Sequence, residues 1–232
     1  MSDMDTQDND NKSTTAYPVT QNDAIRKTLK GFFSAYPNLQ TEEEMEKNFL
    51  EMLTSMLNQI NYYRRYRKKI MIPEVLPKVV IAEFMMKKYT FVNVCFDGTK
   101  ESDCCLLAFY REFGKRAGTY CSDRDIIYRK ILKFDVSISK KGMEEVLHII
   151  SIKSPKVHPC SEKNLIPVNN GIFDFDTKTL LPFTPDKVFL AKSRVDYNPF
   201  AANLIIHNNE DGTDWDVESW ILEIMDDKPD MV

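Results

Sequence analysis

An α+β fold of helices with short antiparallel hairpins is predicted by three observations. Apolar residues recur at helical spacing in several separate stretches, most clearly Met45, Phe49, Met52, Leu53, Met56, Leu57 and Ile60. Short runs rich in β-branched and aromatic residues, such as Phe91 to Phe96 and Ile172 to Phe175, abut turn-forming residues. Strands and helices do not alternate regularly, which argues against a doubly wound parallel sheet. At 232 residues, 43% of them hydrophobic, the chain is long enough for a core in one domain or two small ones.

The N-terminal residues 1–21 are polar and Asp-rich, and they are predicted to be disordered. Asn22 to Phe33 fits a short helix with Ile25, Leu29 and Phe32 on one side. Thr41 with Glu44 forms a capping box, and Glu42 and Glu43 suit a positive helix N-terminus. From there the apolar stripe is expected to be core, with a face for a second copy of the chain as the alternative. The helix is expected to end in the basic run from Asn61 to Lys69, before Pro73 and Pro77 break the regularity.

A second helix is expected from Val79 to Lys88, with Pro77 in its first turn. A strand over Phe91 to Phe96 should place Val92, Val94 and Phe96 on one face. Leu106 to Phe113 and Thr119 to Cys121 can pair around Gly114-Lys115-Arg116-Ala117-Gly118. Ser122 or Asp123 should cap a helix to about Phe134, and Ser139 should open another carrying Met143, Val146, Leu147 and Ile150. The order strand, hairpin, helix, helix over 91–152 fits a winged-helix-like unit.

Val168 to Asp176 reads as one strand, with Asn169-Asn170-Gly171 supplying a bend through positive φ. Leu180 to Phe183 returns beside it, limited by Pro182 and Pro185. A strand over Val188 to Val195 and a polar turn at Asn208 to Asp214 should follow. The last element is a helix over Val217 to Met225 with Trp220, Ile221 and Ile224 inward.

The net charge of −4 rules out bulk charge as a reason to bind a polyanion, so any nucleic-acid surface must be local. No apolar run approaches the roughly 20 residues of a membrane span, and no secretory signal opens the chain. The five cysteines, Cys95, Cys104, Cys105, Cys121 and Cys160, are odd in number and lack a C-x-x-C, which suggests reduced thiols in a cytoplasm.

The run N-L-I-P-V-N-N-G-I-F-D-F-D-T-K-T-L-L-P-F-T-P-D from Asn164, then V-D-Y-N-P at Val195 to Pro199 and an acidic Trp-bearing helix near Trp220, resembles phage and plasmid primase-helicases. The resemblance runs from about Pro73 onward and is strongest over 164–199. It is similar to the domain of the poxvirus primase-helicase that precedes a superfamily 3 helicase core. It implies a DNA-replication context in a bacterial host cytoplasm, with a helicase core or other replication proteins as partners and self-association compatible with it. It identifies no catalytic residue. The G-x-x-x-x-G-K-S/T phosphate loop is missing: Lys115 follows Gly114, but position 109 is Phe and position 116 is Arg. The expectation is therefore a fragment or short protein lacking the motor, with no cofactor.

Asp174 and Asp176 stand two apart, as in the metal-binding pair of archaeo-eukaryotic-type primases. The preferred reading is a hairpin's solvent face and turn entry, because only His207 follows as a candidate third group. Zinc binding by Cys121, His158 and Cys160 with Cys104 or Cys105 is disfavoured by the spacing. The run Tyr62, Tyr63, Arg64, Arg65, Tyr66, Arg67, Lys68 and Lys69 carries five cations and no acid. Cations take phosphates and tyrosines stack on unpaired bases, so Tyr62, Tyr66 and the five cations are the expected contact for weakly bound single-stranded DNA. Lys115 and Arg116 at the hairpin tip are a second candidate. Against this stands simple compensation of the helix dipole.

The organisation expected is a disordered 1–21, a helical 22–72 with a basic end, an α+β helicase-associated 73–200, and a linker and helix over 201–232. The function expected is a non-catalytic accessory region of a replication primase-helicase. The alternatives are a primase using Asp174 and Asp176, or a module that binds protein alone.

Overall fold

The computed structural model describes residues 20–38, 41–64, 67–96 and 105–224. It divides into two units, Met1–Ser161 with Thr184–Ala191, and Glu162–Phe183 with Lys192–Val232.

In the first unit, helices α1 (Gln21–Ala35), α2 (Glu42–Tyr63) and α3 (Lys78–Lys88) precede strands β1 (Phe91–Cys95), β2 (Cys105–Tyr110) and β3 (Tyr120–Cys121). Helices α4 (Arg124–Ile131) and α5 (Lys140–Lys153) and the short β4 (Lys156–Val157) follow. Both predicted capping boxes or caps that open α2 and α5 form: the Thr41 Oγ accepts from the Glu44 N–H, and the Ser139 Oγ accepts from the Gly142 N–H. Asp123, rather than Ser122, caps α4, which stops at Ile131 and reaches Phe134 through turns. The expected strand, hairpin, helix, helix order is present, and its strands join a sheet ordered β3-β2-β1-β4. β1 pairs antiparallel with β2 and parallel with β4.

The apolar stripe of α2 is core. Phe49, Leu53 and Leu57 are fully buried with Phe32 of α1, Phe84 of α3, and Ile127, Ile131 and Phe134. Phe84 is the hub, with ring centroids 5.2 Å from Phe32, 5.6 Å from Phe49 and 5.9 Å from Phe134. One face of the sheet adds Phe91, Phe109 and Cys121 to this core. The other face carries Val92, Val94, Ala108, Tyr110 and Tyr120, covered by Val188. Asn93 is buried on the helix-facing side. Its amide donates to the Ser151 and Ser154 carbonyls and so ties β1 to the end of α5. Residues 22–72 thus share one core with the strands that follow them.

Three expectations are corrected first. First, α2 stops at Tyr63 and the basic run leaves the helix. Second, Val188 to Val195 forms no strand. The carbonyls of Val188 and Phe189 accept single bonds from Cys160 and Tyr120, and no ladder develops, although both side chains are buried. Third, not all thiols are free: Cys95 and Cys105 face each other across the β1–β2 pair with Cα atoms 4.2 Å apart and are joined as a disulfide. A direct cross-strand register supplies the proximity that sequence spacing hides.

The second unit holds a meander of β5 (Leu165–Val168), β6 (Gly171–Asp174) and β7 (Thr179–Leu181). The expected single strand over 168–176 is therefore two. Asn169 and Asn170 form the tight turn that joins β5 to β6. Gly171 is not at positive φ. A side chain there would place Cβ 2.6 Å from the Leu181 carbonyl oxygen, so glycine is required by close approach of β7. A separate hairpin, β8 (Ile205–His207) with β9 (Asp214–Asp216), leads into α6 (Val217–Ile224). That hairpin encloses the predicted polar turn. Contrary to expectation, α6 buries none of its residues.

Candidate nucleic-acid interface

The end of α2 is built by an asparagine clasp. The Asn61 amide donates to the Ile70 carbonyl at 2.8 Å and accepts from the Ile70 N–H at 2.7 Å. Two bonds from one side chain tie Ile70 back to the last turn of α2, and the described residues 64 and 67–69 between them lie outside the helix. There, the Arg67 N–H donates to the Arg64 carbonyl at 3.0 Å. A continued helix would instead stack cations on adjacent turns, where like charges repel. Arg64, Arg67 and Lys68 therefore share no helical face, because α2 ends at Tyr63.

Arg67, Lys68 and Lys69 are exposed, and no described acidic side chain pairs with them. Some cations elsewhere in this unit are matched: Lys78 with Glu145, Lys88 with Glu42, Lys153 with Glu83 and Arg124 with Glu144. Tyr62 and Tyr63 are 69% and 67% exposed, so Tyr63 leaves the buried stripe, and their rings meet edge to face at 5.3 Å. Arg65 and Tyr66 lie outside the described residues. The clasp returns Lys69 beside the last turn of α2, where a cation favours the carbonyl end of the helix. Arg67 and Lys68 precede the clasp, and the last turn itself contains no basic residue. Dipole compensation accounts for part of the cluster only.

Lys115 and Arg116 occupy the tip between β2 and β3, exposed and flanked by Gly114 and Gly118, both at positive φ. The turn is held by the Gly118 N–H on the Arg111 carbonyl and the Thr119 Oγ on the Arg116 carbonyl. Among the described residues, no hydrogen bond or ion pair joins this tip to the basic run after α2. Phe109, at the tip end of β2, packs on Tyr89, next to Lys88, which pairs with Glu42 at the start of α2. The basic run begins at the other end of that 22-residue helix, about 33 Å from Glu42 along its axis.

Asp174 is committed to local structure. Its carboxylate accepts from the Asp176 N–H at 3.0 Å, the Thr177 hydroxyl at 3.0 Å and the Asn164 amide at 3.1 Å. Desolvation pushes its pKa up, and the hydrogen bonds from Thr177, Asp176 and Asn164 together outweigh that and hold it below the ordinary value. Asp176 is an exposed turn residue. His207, in a strand rather than a loop, meets the Asp214 carboxylate at 2.6 Å. The Cys121 thiol accepts from Arg111, and Cys105 is in the disulfide. No cluster of three metal-ligating side chains is found among the described residues.

The two signature stretches meet. The Asn169 N–H donates to the Val195 carbonyl at 3.0 Å, and its side-chain amide reaches Asp196 at 2.8 Å. Asn170 clasps Tyr197 through both backbone groups, each at 2.9 Å, and the Tyr197 ring stacks on Phe173 with centroids 4.4 Å apart. The motif from 164 to 199 is thus a scaffold held by two asparagines. Sequence reasoning missed the Asn61 clasp; the only signal for it is an asparagine in the last turn of an otherwise apolar stripe.

Residues 131–226 match the family model described as D5 N terminal like, the N-terminal domain of D5-like primase-helicases. This stretch of the chain is similar to a primase-helicase-associated region, as the motifs at 164–199 imply. The match takes in α5, the meander, the β8–β9 hairpin and α6, and leaves out the basic loop of residues 64–69 and the tip at Lys115 and Arg116. No curated protein matches the chain. No described helix is long and apolar enough to cross a membrane.

Proposed function

We propose that the chain is an accessory, non-catalytic part of a DNA-replication primase-helicase of a phage or mobile element. In this reading it works in the host cytoplasm beside a helicase core or other replication proteins, and engages single-stranded DNA weakly through Arg64, Arg67, Lys68 and Lys69 with Tyr62. Arg65 and Tyr66 belong to the same run, and Lys115 with Arg116 is a separate, weaker contact. The observation that carries the reading is the run of three exposed cations at 67–69, without an acidic partner among the described residues, held beside the end of α2 by the Asn61–Ile70 clasp. The cations at 67–69 can approach phosphates without first breaking an ion pair to a described acid. The Tyr62 ring, two-thirds exposed, offers a stacking face. Replication context comes from the family match over 131–226. Asp174 is occupied as an acceptor, which favours the accessory reading over a metal-dependent nucleotidyl transferase.

Binding of single-stranded DNA measured across a salt series tests this. Neutralising about three phosphates gives a log–log slope of roughly −2, with little sequence preference. Changing Arg64, Arg67, Lys68 and Lys69 together to Gln should remove most of the affinity and flatten the slope. An unchanged affinity and slope in a folded variant would eliminate the site.

A further inference from the structure

The segment 200–224 has an unusual surface. Phe200, Leu204, Ile205, Ile206, Trp220 and Ile224 are between 47% and 89% exposed, and α6 buries nothing. The segment carries six acids, Glu210, Asp211, Asp214, Asp216, Glu218 and Glu223, and no Lys or Arg. A two-stranded hairpin with one short helix is marginal alone in water, and so many exposed large apolar side chains in one short segment mark an interaction site. Its acidity repels nucleic acid, so the occupant is a protein surface that is basic and partly apolar.

The same chain holds such a surface. The loop after α2 presents Arg67, Lys68 and Lys69 without acidic partners, next to Tyr62, Tyr63 and Met71, which are 69%, 67% and 77% exposed. We infer that the acidic, apolar β8–β9–α6 segment of one copy docks on the basic, tyrosine-bearing loop of a second copy, joining chains head to tail. The two patches differ, so the contact is heterologous and each chain keeps one donor patch and one acceptor patch. The inference shares the loop with the nucleic-acid reading and holds whether or not the loop meets DNA.

Charge reversal in two places tests it. Asp211, Asp214 and Asp216 hold Thr213, His207 and the start of α6, so they are left alone. One variant carries Glu210→Lys, Glu218→Lys and Glu223→Lys; the other carries Arg67→Glu, Lys68→Glu and Lys69→Glu. The full-length protein should associate with concentration in sedimentation velocity, more tightly at low salt. Both tryptophans, Trp215 and Trp220, lie on the proposed patch, so their emission should shift to the blue as copies associate. Each variant alone should lose at least about tenfold in association constant. An equimolar mixture should recover association, because each supplies the patch that the other lacks. DNA binding should fail in the loop variant and survive in the Glu variant, which separates this contact from the nucleic-acid one. A wild type that stays monomeric at every concentration, or variants that associate as it does, would overturn the inference. So would a mixture that remains monomeric while circular dichroism shows both variants folded.

Discussion

Helices α2 and α6 carry the same kind of sequence pattern and meet different fates. In α2 the stripe of Met45, Phe49, Leu53, Leu57 and Ile60 is almost wholly withdrawn from water. In α6, Trp220 and Ile224 occupy equivalent positions on an amphipathic helix and stay 47% and 64% exposed. Periodicity establishes that a helix has an apolar face; it says nothing about what covers that face. For α2 the cover is on the same chain, from α1 and α3. For α6 no cover is found within the described residues of its own unit, which is why it is the proposed docking element.

The largest effect that tests this contrast is in the core. Phe49→Ala, at a fully buried site against Phe32 and Phe84, should lower unfolding stability by about 3–5 kcal/mol in urea titration. Trp220→Ala should change the stability of the monomer by no more than about 0.5 kcal/mol. A Trp220 effect as large as that of Phe49, measured on dilute protein, would mean that α6 is covered within its own chain.

A smaller effect is expected at the clasp that shapes the basic loop. Asn61→Ala leaves the Ile70 backbone without its two partners and should cost about 1–2 kcal/mol. It should also weaken DNA binding without removing any charge. Retained stability with unchanged binding would show that the loop does not depend on the clasp.

The smallest effect is confined to acid pH and to the α6 segment. Backbone donation from Ser219, then the Asn203 amide, pulls the Asp216 carboxyl down to about 2. A depressed folded-state value stabilises above the unfolded value of 3.8, and that contribution is lost as pH falls from there toward about 2. Tryptophan emission reports this region directly and should change across that window. At the other extreme, burial pushes Tyr120 up to about 12, so the first unit should lose stability as pH rises from 10 toward 12, with tryptophan emission unmoved. Emission that follows the alkaline transition would contradict the separation.

Much of the fold is legible from local chemistry. Thr41 with Glu44, Ser139 and Asp123 announce helix starts because a side-chain oxygen satisfies an orphan N–H within a few residues. Alternation at Val92 and Val94 marks the second face of the sheet. The family motif reads through because its turns and apolar positions are close in sequence. The basic run is legible as composition, yet its shape is not. Asn61 and Ile70 are nine residues apart, and nothing in their types reveals that one amide will serve both backbone groups of the other.

By itself, then, the sequence determined the helix starts, the α+β class, the acidic and basic blocks and the primase-helicase-like stretch, all of which rest on interactions spanning a few residues. The tertiary structure decided where α2 ends, that Cys95 and Cys105 meet, that Val188 and Phe189 are buried without a ladder, and that α6 has no cover among the described residues. Those outcomes depend on which distant groups compete for a carbonyl, a thiol or an apolar face. That competition is settled only when the chain has folded and the nearest partner in space is no longer the nearest in sequence.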